Sequence, residues 1–256
     1  MLLAIDVGNT STVIGLLDRH VLAHRWRIAS DAARTADEFS ILIRELAAQS
    51  GVEVDEVSDV VVCSVVPALT AAVVGMAEAV FGIDPIVVDS ELDLGIAIDY
   101  ADPREVGADR LANAVAVHAM VGGPAIVVDF GTATTFDVVE ADGSYLGGAI
   151  APGVMTSAEN LFRRAALLYR VALEPPERVV GRSTEDSLRS GIVYGAAGQV
   201  DELVRRIVAE WGREPRVIAT GGLAEKIALF SKTIDAVEPD LTLFGLSLIH
   251  ERVRGE

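Results

Sequence analysis

Leu2-Leu3-Ala4-Ile5-Asp6-Val7-Gly8-Asn9-Thr10-Ser11-Thr12 opens the chain, and Ala125-Ile126-Val127-Val128-Asp129-Phe130-Gly131-Thr132-Ala133-Thr134-Thr135 stands 123 positions further on. Each stretch is an aliphatic run with the character of a buried strand, closed by an aspartate and a Gly/Thr turn. A second apolar run follows each turn: Val13-Ile14-Gly15-Leu16-Leu17 before Asp18-Arg19-His20, and Phe136-Asp137-Val138-Val139 before Ala141-Asp142-Gly143. The order strand, acidic turn, strand, turn, strand therefore occurs twice. With a period close to half of the 256 residues, it predicts two related lobes.

The intervening segments fit that plan. Helical spacing covers roughly 35–49, a strand lies near 57–63, and Pro67 starts a helix running to about 80, with a short strand at Ile86-Val87-Val88. Val106–Met120 has helical periodicity. In the second half, Gly147-Gly148-Ala149-Ile150-Ala151-Pro152-Gly153 reads as a Gly-rich crossing. Helices follow at about 156–168 and 187–211, then the strand Val217-Ile218-Ala219-Thr220, a helix at Leu223–Phe230 and a terminal apolar segment at Leu241–Ile249. Strands alternating with helices predict α/β lobes, and the hairpins at both repeat starts argue for mixed sheets over an all-parallel one. The lobes are expected at 1–117 and 118–256, the boundary falling near Gly122-Gly123-Pro124 and the terminal helix free to pack back on the first lobe.

Gly8 and Gly131 let backbone approach an anion, while the amides and hydroxyls of Asn9, Thr10, Thr12, Thr132, Thr134 and Thr135 are donors for phosphate oxygens. Asp6 and Asp129 make chemical sense beside phosphate when a cation stands between. Two such turns at matching positions are far more specific than one. The chain has no GxxxxGK[ST] stretch, which excludes a Walker A mechanism. In Gly107-Ala108-Asp109-Arg110, just ahead of a helical segment, Asp109 is a candidate proton acceptor and Arg110 a candidate anion holder. Thr220-Gly221-Gly222 offers backbone without Cβ atoms against which an adenine or ribose can lie.

Composition narrows the field further. Against 21 Lys+Arg there are 38 Asp+Glu, a formal charge of −17 that repels polyanions and argues against nucleic acid as a partner. Cys63 is the sole cysteine, so no internal disulfide forms and a reducing compartment is expected. The start carries no basic leader and no apolar run is long enough to span a bilayer, so the expected location is cytoplasmic, with no membrane association. Cys63 sits in a strongly apolar strand and is expected to be an inert packing thiol. The four histidines form no ligand cluster.

Taken together, these motifs resemble type III pantothenate kinase, of the sugar kinase and actin-like superfamily. The resemblance spans essentially the whole chain: Asp6–Thr10, Tyr100, Pro103, Gly107–Arg110, Asp129–Thr135, Gly147–Gly153, Gly181 with Thr184, Thr220–Gly222 and Pro239–Leu246. It implies a duplicated actin-like (ribonuclease H-like) two-lobe fold. The implied reaction transfers the γ-phosphate of ATP to the primary hydroxyl of pantothenate, the first step toward coenzyme A. By that similarity Asp6, Val7, Gly8, Asn9, Thr10, Ser11, Thr12 and Val13, with Thr132, hold the ATP phosphates, Asp6 lying near Mg2+. Asp129 holds a monovalent cation, K+ or NH4+, and Gly221 and Gly222 lie near adenosine. Asp109 accepts the proton and Arg110 balances charge, while Tyr100, Gly107, Ala108, Asp109, Arg110 and Thr184 enclose pantothenate. A homodimer is implied, with Gly147–Gly153 and the helix after it as candidates for its interface.

Two positions depart from the family pattern. Ala101 follows Tyr100 where an acidic residue is common, and Leu168-Tyr169 replaces a frequent Leu-Pro. Neither removes a residue with an implied chemical role. Read from the residues alone, a kinase for another hydroxylated acceptor, a phosphohydrolase and a noncatalytic nucleotide-binding regulator remain alternatives. The retained Tyr100-to-Arg110 region favours a kinase with an acceptor.

Overall fold

Alternation along the first strand decides the first half. In β1 (Leu2–Val7), Leu3, Ile5 and Val7 point to one face and Leu2, Ala4 and Asp6 to the other. A computed structural model, describing residues 1–165 and 168–255, shows what each face meets. β2 (Ser11–Asp18) and β3 (Val21–Ala29) continue β1 as antiparallel hairpins. α1 (Ala36–Gln49) follows, started by a capping box in which Thr35 and Glu38 satisfy each other's backbone N–H groups. β4 (Asp59–Ser64) joins β1 in parallel, and α2 (Pro67–Phe81) begins on a proline, which costs nothing at a position with no helical acceptor. β5 (Ile86–Val87) completes a sheet ordered β3-β2-β1-β4-β5. Its core packs Leu3, Ile5, Val7 and Val62 against Phe39, Ile43, Leu69, Val73 and Met76 of α1 and α2.

After α3 (Ala108–Val121), the plan repeats. β6 (Ala125–Phe130), β7 (Ala133–Val139) and β8 (Tyr145–Pro152) form the antiparallel meander, followed by α4 (Val154–Arg164) and the 28-residue α5 (Thr184–Trp211). β9 (Arg216–Gly221), α6 (Ala224–Ala228) and β10 (Ala236–Val237) complete the unit, with sheet order β8-β7-β6-β9-β10 and β9 and β10 parallel. Ile126, Val128, Phe130 and Phe136 pack against Val193, Val200 and Val204 of α5. The two sheets thus share one topology, an α/β fold with mixed sheets of the duplicated actin-like kind.

Contacts divide the described chain into two compact units: Met1–Ala119 together with α7 (Leu241–Arg254), and Met120–Asp240. α7 packs on β1, β2 and β4, on the face away from α1 and α2. It approaches α3 closely at Gly245, where a Cβ would run into the Ala112 carbonyl, and Thr242 Oγ1 donates to Asn113 Oδ1 at 2.8 Å nearby. Because that contact is to rigid backbone, Gly245→Ala is expected to cost about 3 kcal/mol. It should lower the thermal midpoint by roughly 6–12 °C, measured by calorimetry.

Two readings of the sequence change. The segment expected to be a crossing, Gly147–Gly153, is mostly β8, an antiparallel partner of β7. Its Gly148 is required because a Cβ there would overlap the Phe136 carbonyl. The repeat is also not uniform. Asp6 pairs across its hairpin with Val13 but Asp129 with Thr135, so the second turn is one residue shorter and the repeat closes up by one position beyond it. Among the described residues, no helix is long and apolar enough to cross a membrane.

Candidate active site

In the first unit the chemistry gathers at the ends of β1 and β4 and the start of α3. Parallel pairing sets Asp6 directly opposite Cys63, and the Cys63 thiol donates to Asp6 Oδ1 at 3.3 Å. Asp6 keeps some solvent contact, yet burial pushes its pKa up to about 7, and the charge of Asp109 pushes the same way. The Cys63 hydrogen bond and the charge of Arg27 oppose that rise without cancelling it. Burial, then the charges of Asp6 and Asp109, holds the Cys63 thiol well above its ordinary range. Asp109 is raised as well, again by burial first; the backbone N–H of Arg110, donating to Asp109 Oδ1 at 2.8 Å, and the Arg110 charge oppose it. Gly107 makes room for that carboxylate, since a Cβ on it would stand 2.6 Å from Asp109 Oδ1. Arg110 itself is buried. The first turn closes through Gly8 N–H to Ser11 O at 3.2 Å, with Asn9 and Thr10 exposed.

Two buried carboxyls held above their ordinary range, one feeling the charge of the other, form a site short of positive charge. Among the described residues, no group of three or more His, Cys, Asp or Glu side chains forms a metal cage. Mg2+ needs no such cage, since one or two carboxylates commonly hold it while substrate phosphates and waters complete its shell, and Asp6 is a donor of that kind.

In the second unit, β6 and β9 run parallel with Asp129 opposite Thr220 and Phe130 opposite Gly221. Gly221 has φ 90°, and a Cβ there would stand 2.5 Å from Asp129 Oδ1 and 2.7 Å from Phe130 N. Glycine is therefore required on two counts, conformation and space. A Cβ on Gly131 would lie 3.7 Å from the same oxygen, so the Asp129 carboxylate sits beside both glycine turns. The loop before β7 is clamped from the start of α4: Gly153 N–H donates to the Thr132 carbonyl at 3.1 Å and Thr156 Oγ1 at 2.7 Å, leaving Thr132 itself exposed.

The family model of type III pantothenate kinase matches residues 2–206. A type III pantothenate kinase of Moorella thermoacetica is 49% identical over 98% of this chain and 99% of its own. One from Geobacter sulfurreducens is 50% identical over 99% and 100%. The chain belongs to the type III pantothenate kinases.

Solved structures agree on the fold. The activator of the 2-hydroxyisocaproyl-CoA dehydratase from Clostridium difficile, with bound ADPNP, aligns with a TM-score of 0.59 at 13% identity, covering 100% of this chain and 97% of that one. An inorganic polyphosphate/ATP-glucomannokinase from Arthrobacter aligns at 0.52 and 15%, covering 98% of each.

Within this type III pantothenate kinase chain, residues singled out from sequence form two groups, with Thr184 and Tyr100 placed separately. Asp6, Gly107, Asp109 and Arg110 converge in the first unit, and Asp129, Gly131 and Gly221 in the second. Thr184, the first residue of α5, is exposed on a shallow recess lined also by Leu168, Gly181 and Arg182. Tyr100 is half-buried in the irregular segment before α3. Cys63 is buried with its thiol pKa raised, as expected of an inert packing thiol, but it also donates a hydrogen bond to Asp6, which sequence reasoning did not foresee; nor did it single out Thr156, which holds the Thr132 carbonyl. Strand register places the first and a tertiary hydrogen bond the second, and neither leaves a local signal.

Proposed function

We infer that the protein transfers the γ-phosphate of ATP to pantothenate, giving 4'-phosphopantothenate and ADP. The observation that carries this reading is that Asp6 and Asp109 are both buried and within electrostatic reach of each other, in a chain whose family shares the reaction.

Asp109 takes the proton of the pantothenate hydroxyl. Burial makes it a stronger base than an exposed carboxylate, and its place at the first turn of α3, with one oxygen held by the Arg110 N–H, limits its rotation. Arg110 balances the charge that develops as the phosphoryl group moves. Asp6 through Val13 and Thr132 bind the ATP phosphates, and Gly221-Gly222 lies against adenosine. Tyr100, Gly107 through Arg110 and Thr184 bind pantothenate. Asp6 would hold Mg2+ and Asp129 a K+ or NH4+ ion, and bound cations supply positive charge to the phosphoryl oxygens.

An apolar groove between α4 and α5, lined by Val154, Ala158, Leu161, Gly191, Ile192 and Gly195, adds support for a homodimer through this face. Ile150 on β8 is also exposed, at 65%. The cytoplasm, where a lone buried thiol stays reduced, is the location that fits.

Mass-resolved product formation from ATP and pantothenate, with Mg2+ and K+ present, tests the reading. A product heavier than pantothenate by one phosphoryl group is expected, and ATP hydrolysis with no such product would overturn it. Asp129→Asn is expected to raise the K+ concentration for half-maximal activity about tenfold or more, read in a K+ titration. An unchanged titration would remove Asp129 from the cation site.

A further inference from the structure

Cys63 is fully buried, and the reaction steps above give it no part. Its neighbours along β4 are accounted for otherwise. Val62 packs into the core with α1 and α2, while Ser64 Oγ accepts from Thr70 Oγ1 at 2.7 Å and from Val66 N–H at 3.2 Å. Cys63 instead pairs with Asp6, each the last residue but one of its strand, and Sγ stands 3.3 Å from Asp6 Oδ1. An aliphatic side chain would fill that volume equally well; only a donor engages the carboxylate oxygen.

We propose that Cys63 is a positioning residue for the nucleotide site: its thiol proton occupies one oxygen of Asp6 and so fixes the direction in which the carboxylate offers the other to the magnesium nucleotide. The inference rests on the assignment of Asp6 to the magnesium-bound phosphates. A thiol suits the task because it is a weak donor. It orients the carboxylate while withdrawing little of the negative charge that a cation needs.

The test compares Cys63→Val and Cys63→Ala, which lack a donor, with Cys63→Ser, which keeps one, and with Asp6→Asn. Calorimetric binding of MgADP, binding of ADP in EDTA, steady-state kinetics and the thermal midpoint of the unliganded protein are measured for each. Cys63→Val and Cys63→Ala are expected to weaken MgADP binding about tenfold, equivalent to about 1.4 kcal/mol, and to raise KM for MgATP in parallel. Their kcat should stay within about twofold, and ADP binding in EDTA should not change. Cys63→Ser should lie within about threefold of the parent. A purely structural role would instead shift thermal midpoints and leave the ratio of MgADP to ADP affinity untouched.

Parent-like MgADP binding by both donor-free variants overturns the proposal, as does a Cys63→Ser variant as weak as they are. If Asp6→Asn loses MgADP affinity while the donor-free variants keep it, only the role of Cys63 falls. If Asp6→Asn keeps it too, the assignment of Asp6 falls and this inference with it.

Discussion

Asp109→Asn is expected to lower kcat for pantothenate phosphorylation by about 10^3-fold, the middle of the range for loss of a positioned general base. Affinity for MgATP should change by less than about threefold. Asparagine keeps the size and the oxygen that accepts the Arg110 N–H, so the start of α3 is preserved while proton acceptance is lost. Gly107→Ala supplies an independent variant. Its Cβ, 2.6 Å from Asp109 Oδ1, would turn the intact carboxylate away and lower kcat with the base still present. The pH profile carries the same signature. Asp109 is raised by burial, so the acidic limb of kcat/KM should lie above the ordinary carboxylate range. That limb should be absent from the residual activity of Asp109→Asn. Near-normal turnover by the purified variant would end the assignment of Asp109 as base. The substitution should also lower the pKa of Asp6, because the charge of Asp109 is one reason that it stands near 7.

Asp6→Asn is expected to act in opposite directions on function and on stability. With the carboxylate proposed to hold Mg2+ gone, kcat/KM for MgATP should fall at least about 100-fold. The unliganded fold should nevertheless become more stable at neutral pH. Asp6 titrates near 7 when folded, against an ordinary 3.8. Between those values the folded chain holds a proton that the unfolded chain has released, so stability from this group is fully present below about pH 4. It drains away as pH rises and is lost above about pH 7. The loss is on the order of 2–4 kcal/mol, and asparagine, which does not ionise, escapes it. Urea unfolding without divalent ions, at pH 5 and pH 8, should show the variant's advantage widening toward pH 8. Parallel stability for the two proteins across that interval would show that Asp6 is not held in a charge-disfavouring environment. The physical link between the two effects is that burial and the like charge of Asp109 disfavour the ionised form of Asp6, the form that a cation would require.

Much of the scaffold behind these predictions is legible in local sequence. Aliphatic runs of strand length end at Asp6 and Asp129, Thr35 with Glu38 starts α1, Pro67 starts α2, and Gly82 and Gly212 close α2 and α5 in the left-handed conformation. Each signal acts over a few residues, which is why it is readable without knowing any partner. The β8 segment is different. Its glycines resemble a loop when read alone, and only the approach of Gly148 to the Phe136 backbone explains why an edge strand needs one.

The duplication, the α/β class, the acidic Gly/Thr turns and the run Gly107–Arg110 follow from the order of residues, because backbone preference, hydrophobic period and the donor chemistry of side chains are local properties. Tertiary structure alone decided which of those residues meet. Parallel pairing of β1 with β4 set Cys63 on Asp6, the fold-back of α3 brought Asp109 within electrostatic reach, and β9 laid Gly221 against Asp129. The raised pKa of Asp6 arises in the same way. Burial and a like charge more than 100 positions away in the chain produce it, and both exist only once the chain has closed on itself.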